Sequence, residues 1–79
     1  MSNEEKYLKV FTGTLNISEK AAREATYQDT DEWDSVGHMM LINALEDAFD
    51  IMMDTDDIVD LSSYEKGREI LSARYDVAF

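Results

Sequence analysis

Cysteine and proline are absent from the sequence, and glycine occurs only three times. Without cysteine, disulfide bonds and thiolate metal sites are excluded, so side-chain packing must supply the stability of the fold. The chain also lacks an apolar run of transmembrane length, and its first residues, MSNEEKYLKV, contain no apolar signal-peptide segment. We therefore expect a cytoplasmic protein that does not enter a membrane.

Basic residues are scarce as well. The 79 residues include 7 Lys and Arg against 18 Asp and Glu, which gives a formal net charge of −11. This charge disfavours nucleic acid, whose phosphates require a positive surface, and it disfavours anionic membranes. It favours partners with basic docking patches, although simple solubility is the plainer explanation. The length allows one small domain, and 44% hydrophobic residues are too many for a wholly disordered chain.

Two main helices are indicated near the ends of the chain. The first covers about residues 3–15, begins with a capping box at Ser2 and Glu5, and carries an apolar stripe of Tyr7, Leu8, Phe11 and Leu15. The last covers about residues 63–75, after a second capping box at Ser62 and Glu65. Its inner stripe is Tyr64, Gly67, Ile70, Leu71 and Tyr75, and Gly67 would allow a neighbouring helix to approach closely.

The third main helix lies between them, at about residues 35–50, with Asp34 or Ser35 as its N-cap. At 100° per residue its core side consists of His38, Leu41, Ile42, Leu45, Ala48 and Phe49. The opposite side has Val36, Met40, Asn43, Ala44 and Asp47, with Met39 at its edge. That outer side is apolar near the start of the helix and acidic further along.

The remaining segments are a long loop at about residues 16–34 and a short helix at about residues 55–60. Ser18 can open a helical turn within the loop, with Ile17, Ala21 and Ala25 as its apolar contacts, and Ile58 and Leu61 of the later segment can enter the core. No segment alternates with period two, which argues against a sheet. The sequence predicts an all-α fold, a small antiparallel bundle of three main helices plus one or two short ones.

Two chemistries are disfavoured by the residues themselves. Ser35 and His38 are neighbours on a helix, but no GxSxG turn and no third group that would orient the base are present. His38 is therefore better explained as a partly buried structural histidine. Calcium loops starting at Asp29 or Asp54 lack the glycine that an EF-hand needs at its sixth position. We therefore expect no catalytic residue and no dedicated metal site.

The roles of Met40 and Ser35 each have two explanations, one structural and one functional. Methionine fills core gaps and also forms adaptable binding surfaces; Met53 fits the first role, whereas the helical angle of Met40 favours exposure. Ser35 taken alone is explained as a helix cap.

The segment DSVGHMMLINALEDAFDI, residues 34–51, resembles the signature of acyl carrier proteins and the related peptidyl carrier domains. Asp34-Ser35-Val36 corresponds to the Asp-Ser-Leu triplet that opens the second helix of that family, and residues 44–49, ALEDAF, correspond to its Ala-Leu-Glu-x-x-Phe motif. The similarity continues through Ile58, Asp60 and Leu61 to the last helix, while the N-terminal third agrees mainly in pattern.

The resemblance implies that Ser35 receives a 4′-phosphopantetheine arm from coenzyme A, attached by a separate phosphopantetheinyl transferase, and that Asp34 supports this modification. The chain would then be a monomeric carrier rather than an enzyme. It would present acyl or aminoacyl thioesters that an activating ligase loads and a synthase or transferase uses.

The chain differs from carriers of fatty-acid synthesis before and after the serine. Asp31-Glu32-Trp33 stands where those carriers usually have Leu-Gly and one further residue, and Met40 stands where they have an acid. We therefore expect a specialised pathway, with a docking surface made of Trp33, Val36, Met39, Met40, Glu46 and Asp47. The alternative is an unmodified acidic interaction module that keeps the carrier fold.

Overall fold

Residues 2–29 and 31–79 are described by a computed structural model. They form five helices, α1 (Asn3–Leu15), α2 (Glu19–Arg23), α3 (Ser35–Phe49), α4 (Thr55–Asp60) and α5 (Tyr64–Arg74). These ranges contain no strand, and a single isolated bridge pairs Thr26 with Ser63. The prediction of an all-α fold is confirmed for this part of the chain. No helix within it is long and apolar enough to cross a bilayer.

Serine side chains cap the N-termini of three of the helices. Ser2 Oγ accepts a hydrogen bond from Glu5 N at 3.1 Å, and the Ser2 hydroxyl donates to the Glu5 carboxylate at 3.2 Å, so the predicted capping interaction is present. Ser18 Oγ accepts from Ala21 N at 3.1 Å at the start of α2. These bonds satisfy backbone donors that have no partner inside the helix.

The cap of α5 corrects the predicted capping box at Ser62 and Glu65. Ser63 Oγ, not Ser62, accepts a hydrogen bond from Lys66 N at 3.0 Å. The Ser62 carbonyl instead accepts from Tyr27 N at 2.8 Å, as part of the bridge between Thr26 and Ser63. Because the bridge keeps Ser62 in an extended connection, the helix begins one residue later.

The segment between α1 and α3 contains the helical turn predicted to open at Ser18, and the rest of the predicted loop at residues 16–34 is held by backbone hydrogen bonds. It contains α2, and after it Tyr64 N donates to Ala25 O at 3.1 Å and Gln28 N donates to Trp33 O at 3.0 Å. Ala22 is the buried residue of α2, whereas Ala21, predicted to face the core, is exposed. Thr30, inside the predicted loop, lies outside the described residues.

The core is formed by the predicted stripes of the main helices. Packing of α1 against α3 dominates, and every stripe residue of α1 is buried. Buried apolar side chains of the described residues are Tyr7, Leu8, Phe11, Leu15, Ala22, Ala25, Trp33, Leu41, Ile42, Leu45, Met53, Leu61, Tyr64, Ile70, Leu71 and Val77. Ala48, Phe49 and Tyr75 are only half-buried, since they lie near helix ends.

Gly67 makes room on α5 for the end of the Tyr7 side chain, which belongs to α1. A Cβ atom added there would collide with the Tyr7 hydroxyl. That hydroxyl donates to Tyr64 O at 2.7 Å, so it cannot move away without losing a buried hydrogen bond. The glycine therefore allows the contact that joins the two helices.

The short helix α4 is fastened to the end of α5 by a buried carboxylate. Asp57 Oδ2 accepts from Tyr75 Oη at 2.6 Å and from Arg74 Nε at 2.7 Å, and Arg74 also pairs with Asp54 at 3.2 Å. The Tyr75 hydrogen bond lowers the pKa of Asp57 below the ordinary carboxyl value, and Arg74 acts in the same direction against the effect of burial. The ionised form of Asp57 therefore stabilises the attachment of α4.

We expect Asp57→Asn to lower the urea midpoint of unfolding near neutral pH. Because the folded-state pKa is depressed, the stabilisation is present above about pH 4 and is lost as the pH falls through the folded-state pKa. The difference between wild type and Asp57→Asn should therefore shrink on acidification. Asp56→Asn, at an exposed position of the same helix, is the control; an equal and pH-independent loss in both variants would contradict this role of Asp57.

Candidate functional site

The start of α3 is capped by Asp34. The backbone of Asp34 is extended, its Oδ1 accepts a hydrogen bond from Gly37 N at 2.8 Å, and its carbonyl accepts from His38 N at 2.8 Å. From the sequence alone, either Asp34 or Ser35 could be the N-cap of this helix. The structure assigns it to Asp34.

Ser35 is consequently the first residue of the helix rather than its cap. It is exposed, and its hydroxyl makes no hydrogen bond to another residue in the described part of the chain. Ser2, Ser18 and Ser63, by contrast, each use their oxygen to accept from a backbone N–H. An exposed hydroxyl at the positive end of a helix dipole is well placed to carry an anionic group.

Gly37 allows the preceding acidic segment to lie against the first turn of α3. A Cβ atom at this position would come within 2.6 Å of the Glu32 carbonyl oxygen and 3.3 Å of Asp34 Oδ1. A larger residue would therefore displace the segment that leads into the cap. Asp31 and Glu32 themselves are exposed, so the surroundings of Ser35 are acidic.

Trp33 corrects one part of the predicted docking surface. Its side chain is 0% exposed, and its ring packs edge-on against Phe11 with 5.4 Å between the ring centroids. The indole Nε1–H donates to His38 Nδ1 at 2.9 Å. Trp33 is therefore a core residue that positions the entry to α3, and the prediction that it contacts partners is wrong for this structure.

His38 is buried and hydrogen-bonded through both ring nitrogens. An indole N–H can only donate, so Nδ1 of His38 is the acceptor and Nε2 carries the hydrogen. That Nε2–H donates to Ile58 O at 2.7 Å, a carbonyl in the last turn of α4. The burial predicted for His38 is confirmed. With both nitrogens engaged, His38 is not placed to act as a base for Ser35.

A small groove opens beside Ser35. Its volume is about 310 Å³, and it is lined by Tyr27, Ser35, His38, Met39, Ile58 and Val59. The sequence did not assign Tyr27 or Val59 to this site. Val59 is 74% exposed. An apolar residue on the solvent side of so short a helix is the feature that could have indicated its place in the groove. Tyr27, which follows α2, has no sequence feature that would have indicated its place in the groove.

The outer side of α3 exposes an apolar patch, defined here as Val36, Met39 and Met40. Their exposed fractions are 70%, 50% and 55%, so the exposure predicted for Met40 is confirmed. Met39 belongs to the groove as well as to the patch. The patch thus lies next to Ser35 on the helix and shares one residue, Met39, with the lining of the groove.

The two acidic residues predicted to dock partners differ in their surroundings. Asp47 is exposed. Glu46 is half-buried, and its Oε2 accepts a hydrogen bond from Met53 N at 2.9 Å. Glu46 therefore secures the chain after α3, and Asp47 is the more accessible of the two.

A second cavity lies between α4 and α5 and does not include Ser35. Its volume is about 500 Å³, and charged side chains such as Asp57, Lys66 and Arg74 line most of it. Within residues 2–29 and 31–79, no three His, Asp or Glu side chains are grouped so as to bind a metal ion.

Comparison with known proteins gives no match: no protein-family model, no curated protein and no solved structure matches this chain.

We expect Asp34→Ala to lower the free energy of unfolding by about 0.5–2 kcal/mol, because it removes the cap of α3. Asp34→Asn keeps a capping oxygen, so it should change stability by less than about 0.5 kcal/mol, and so should Ser35→Ala. Urea denaturation followed by the fluorescence of the single tryptophan measures all three. A loss in Ser35→Ala as large as that in Asp34→Ala would show that Ser35 is the cap.

Proposed function

We propose that this chain is a carrier protein that bears a 4′-phosphopantetheine arm on Ser35 and presents acyl or aminoacyl thioesters to other enzymes. The observation that supports this most strongly is the exposed Ser35 hydroxyl on the first residue of α3, relieved of capping by Asp34. The resemblance of residues 34–51 to acyl carrier proteins is the reason for proposing that this hydroxyl is the attachment point of the arm. The chain performs no turnover of its own.

The attachment step requires a separate phosphopantetheinyl transferase and coenzyme A. Ser35 Oγ forms a bond to the phosphorus that bears the pantetheine, the pyrophosphate bond of coenzyme A breaks, and adenosine bisphosphate leaves. The hydroxyl proton passes to a base of the transferase, because His38 has no free nitrogen. The Asp34 carboxylate, exposed beside Ser35, supports the metal that the transferase brings.

The local environment suits the modified serine. A phosphodiester on Ser35 lies at the N-terminus of a helix of 15 residues, where the dipole and the unpaired amides of the first turn favour negative charge. The arm also supplies a thiol to a chain that contains no cysteine. Thioester formation therefore takes place only on the arm.

Charge and surface composition indicate the partners. With a net charge of −11, the chain suits basic docking surfaces on the transferase, on an acyl- or aminoacyl-activating ligase, and on the synthase or transferase that uses the cargo. The apolar patch of Val36, Met39 and Met40 adds a contact that favours partners of a specialised pathway. We further infer that the helices form the antiparallel bundle of carrier proteins and that the chain acts as a cytoplasmic monomer.

The direct test is incubation with a broad-specificity phosphopantetheinyl transferase and coenzyme A, followed by intact mass measurement. We expect the mass of one phosphopantetheinyl group to be added to the wild type and to Ser72→Ala, an exposed serine of α5. Ser35→Ala should gain nothing. Asp34→Asn, in which the cap is kept, should be modified more slowly, which isolates the role of the carboxylate.

Failure of the wild type to gain mass would contradict the carrier function. It would favour the second candidate, an unmodified interaction module, whose supporting observation is the exposed apolar patch on α3. A gain that persists in Ser35→Ala would place the arm elsewhere.

Met40→Glu tests the patch as a docking surface. A charge at the centre of an apolar contact should slow transfer by the transferase, or by a ligase that loads the arm, by about tenfold, which corresponds to about 1.4 kcal/mol. Met52→Glu is the matched control, because Met52 is 87% exposed in the connection between α3 and α4. Unchanged rates with every partner enzyme in Met40→Glu would show that partners do not use the patch.

A further inference from the structure

We propose that His38 is an acid-sensitive switch at the start of α3. Uptake of a proton by its ring breaks the hydrogen bond to Trp33 and releases the segment before α3, while the hydrogen bond to α4 is kept. The switch therefore acts on one side only, on the residues that hold the cap at Asp34. The inference concerns the contacts of His38 and does not depend on the proposed attachment at Ser35.

The neutral form of the His38 ring is required by one of its two partners. The indole Nε1–H of Trp33 donates to Nδ1 at 2.9 Å, and Nε2–H donates to Ile58 O at 2.7 Å. A histidine cation carries a hydrogen on both nitrogens. Nδ1–H would then face the indole N–H, donor against donor. Because the Trp33 side chain has no exposed surface, this contact would leave a buried donor unpaired.

The hydrogen bond to α4 responds in the opposite way. Nε2 carries a hydrogen in the neutral ring and in the cation, so Ile58 O keeps its donor in both forms. A charged donor forms a stronger hydrogen bond than a neutral one. α4 is also held near its start, where Asp57 accepts from Arg74 and Tyr75. Protonation of His38 therefore leaves α4 in place, and its effect falls on the segment before α3.

The segment before α3 is the part that protonation can release. The ring of His38 borders the open groove, so a proton can reach it from solvent. Residues 31 and 32 are exposed, and the buried indole of Trp33 is the side chain that anchors them to the core. Asp34, whose Oδ1 accepts from Gly37 N, follows directly. Loss of the indole bond therefore loosens the cap of α3 as well.

The groups around the ring favour a proton or are neutral toward it. Tyr27 is the titratable side chain that contacts the ring, with 5.0 Å between the ring centroids, and a tyrosine ordinarily stays neutral at and below neutral pH. Residues 24–65 contain no Lys or Arg. The acidic residues within two positions of Tyr27, Trp33 and Ile58 are all exposed except Asp57, and their charge favours a cation nearby; they are Asp29, Asp31, Glu32, Asp34, Asp56, Asp57 and Asp60. The contact between two donors is therefore what protonation has to break.

NMR and fluorescence between about pH 8 and pH 5, the range in which histidine ordinarily titrates, test the switch. The chain has one histidine and no cysteine, so no other side chain ordinarily changes charge in this range. At the upper end we expect ring ¹⁵N shifts of the Nε2–H tautomer. At the lower end both nitrogens should carry hydrogen, the Trp33 emission maximum should move to longer wavelength, and the protection of its indole N–H against exchange should fall about tenfold or more.

Two backbone amides show which side of His38 opens. Gly37 N–H, which Asp34 caps, should lose protection together with the Trp33 indole. Leu61 N–H, which donates to Asp57 O at the end of α4, should keep its protection factor across the whole range. Loss of protection at Leu61 and Trp33 together would overturn the one-sided switch. So would a charged ring beside an unchanged Trp33, or a ring that stays neutral in the folded protein down to about pH 5.

His38→Asn supplies an acceptor that does not titrate. Its amide oxygen can take the place of Nδ1, so Trp33 should remain protected at every pH tested. Tyr27→Phe is the control for the neighbouring hydroxyl and should keep the wild-type response. A wild-type response in His38→Asn would assign the switch to another group. If this variant does not fold, the ring and indole signals of the wild type still decide. No coenzyme A is involved, so failure of the transferase assay leaves this result standing.

Discussion

The hydrogen bond from the Trp33 indole to His38 is the interaction on which the structure around Ser35 depends. It joins the segment before α3 to the first turn of that helix, and because it makes Nδ1 the acceptor, it sets the tautomer that lets Nε2 bind Ile58 of α4. One histidine thus ties three parts of the chain together. Trp33 also immediately precedes Asp34, so the buried indole fixes the backbone at the point where the cap must form.

From this arrangement follows a division of roles between two adjacent residues. Asp34 satisfies the amide of Gly37, and Ser35, one position later, is left exposed on the first turn. If the serine were the cap, its oxygen would be occupied by the backbone, as it is in Ser2, Ser18 and Ser63. The Asp-Ser pair therefore places the cap on Asp34 and leaves the Ser35 hydroxyl exposed at the helix start, where the proposed attachment would take place.

Much of the fold could be predicted from the sequence, because long helices with regular apolar spacing define both their bounds and their buried sides. The stripes of α1 and the burial of His38 are examples. Trp33 could not be placed in this way, since it stands in an acidic run and its burial depends on Phe11 and His38. α2 has only five residues, too few for the sequence to show which side of the helix is buried, so the sequence predicts contacts for Ala21 where the structure buries Ala22. The groove could not be predicted without the position of α4, and hydrogen bonds between residues distant in sequence determine that position.

Whether Ser35 carries a covalent arm in the cell is tested most directly by purifying the protein from the cells that make it and measuring the mass of the proteolytic peptide that contains Ser35. We expect a phosphopantetheinyl group, free or acylated, on that residue in a substantial share of the molecules. A peptide found wholly unmodified, from cells whose other carrier proteins bear the arm, would contradict it.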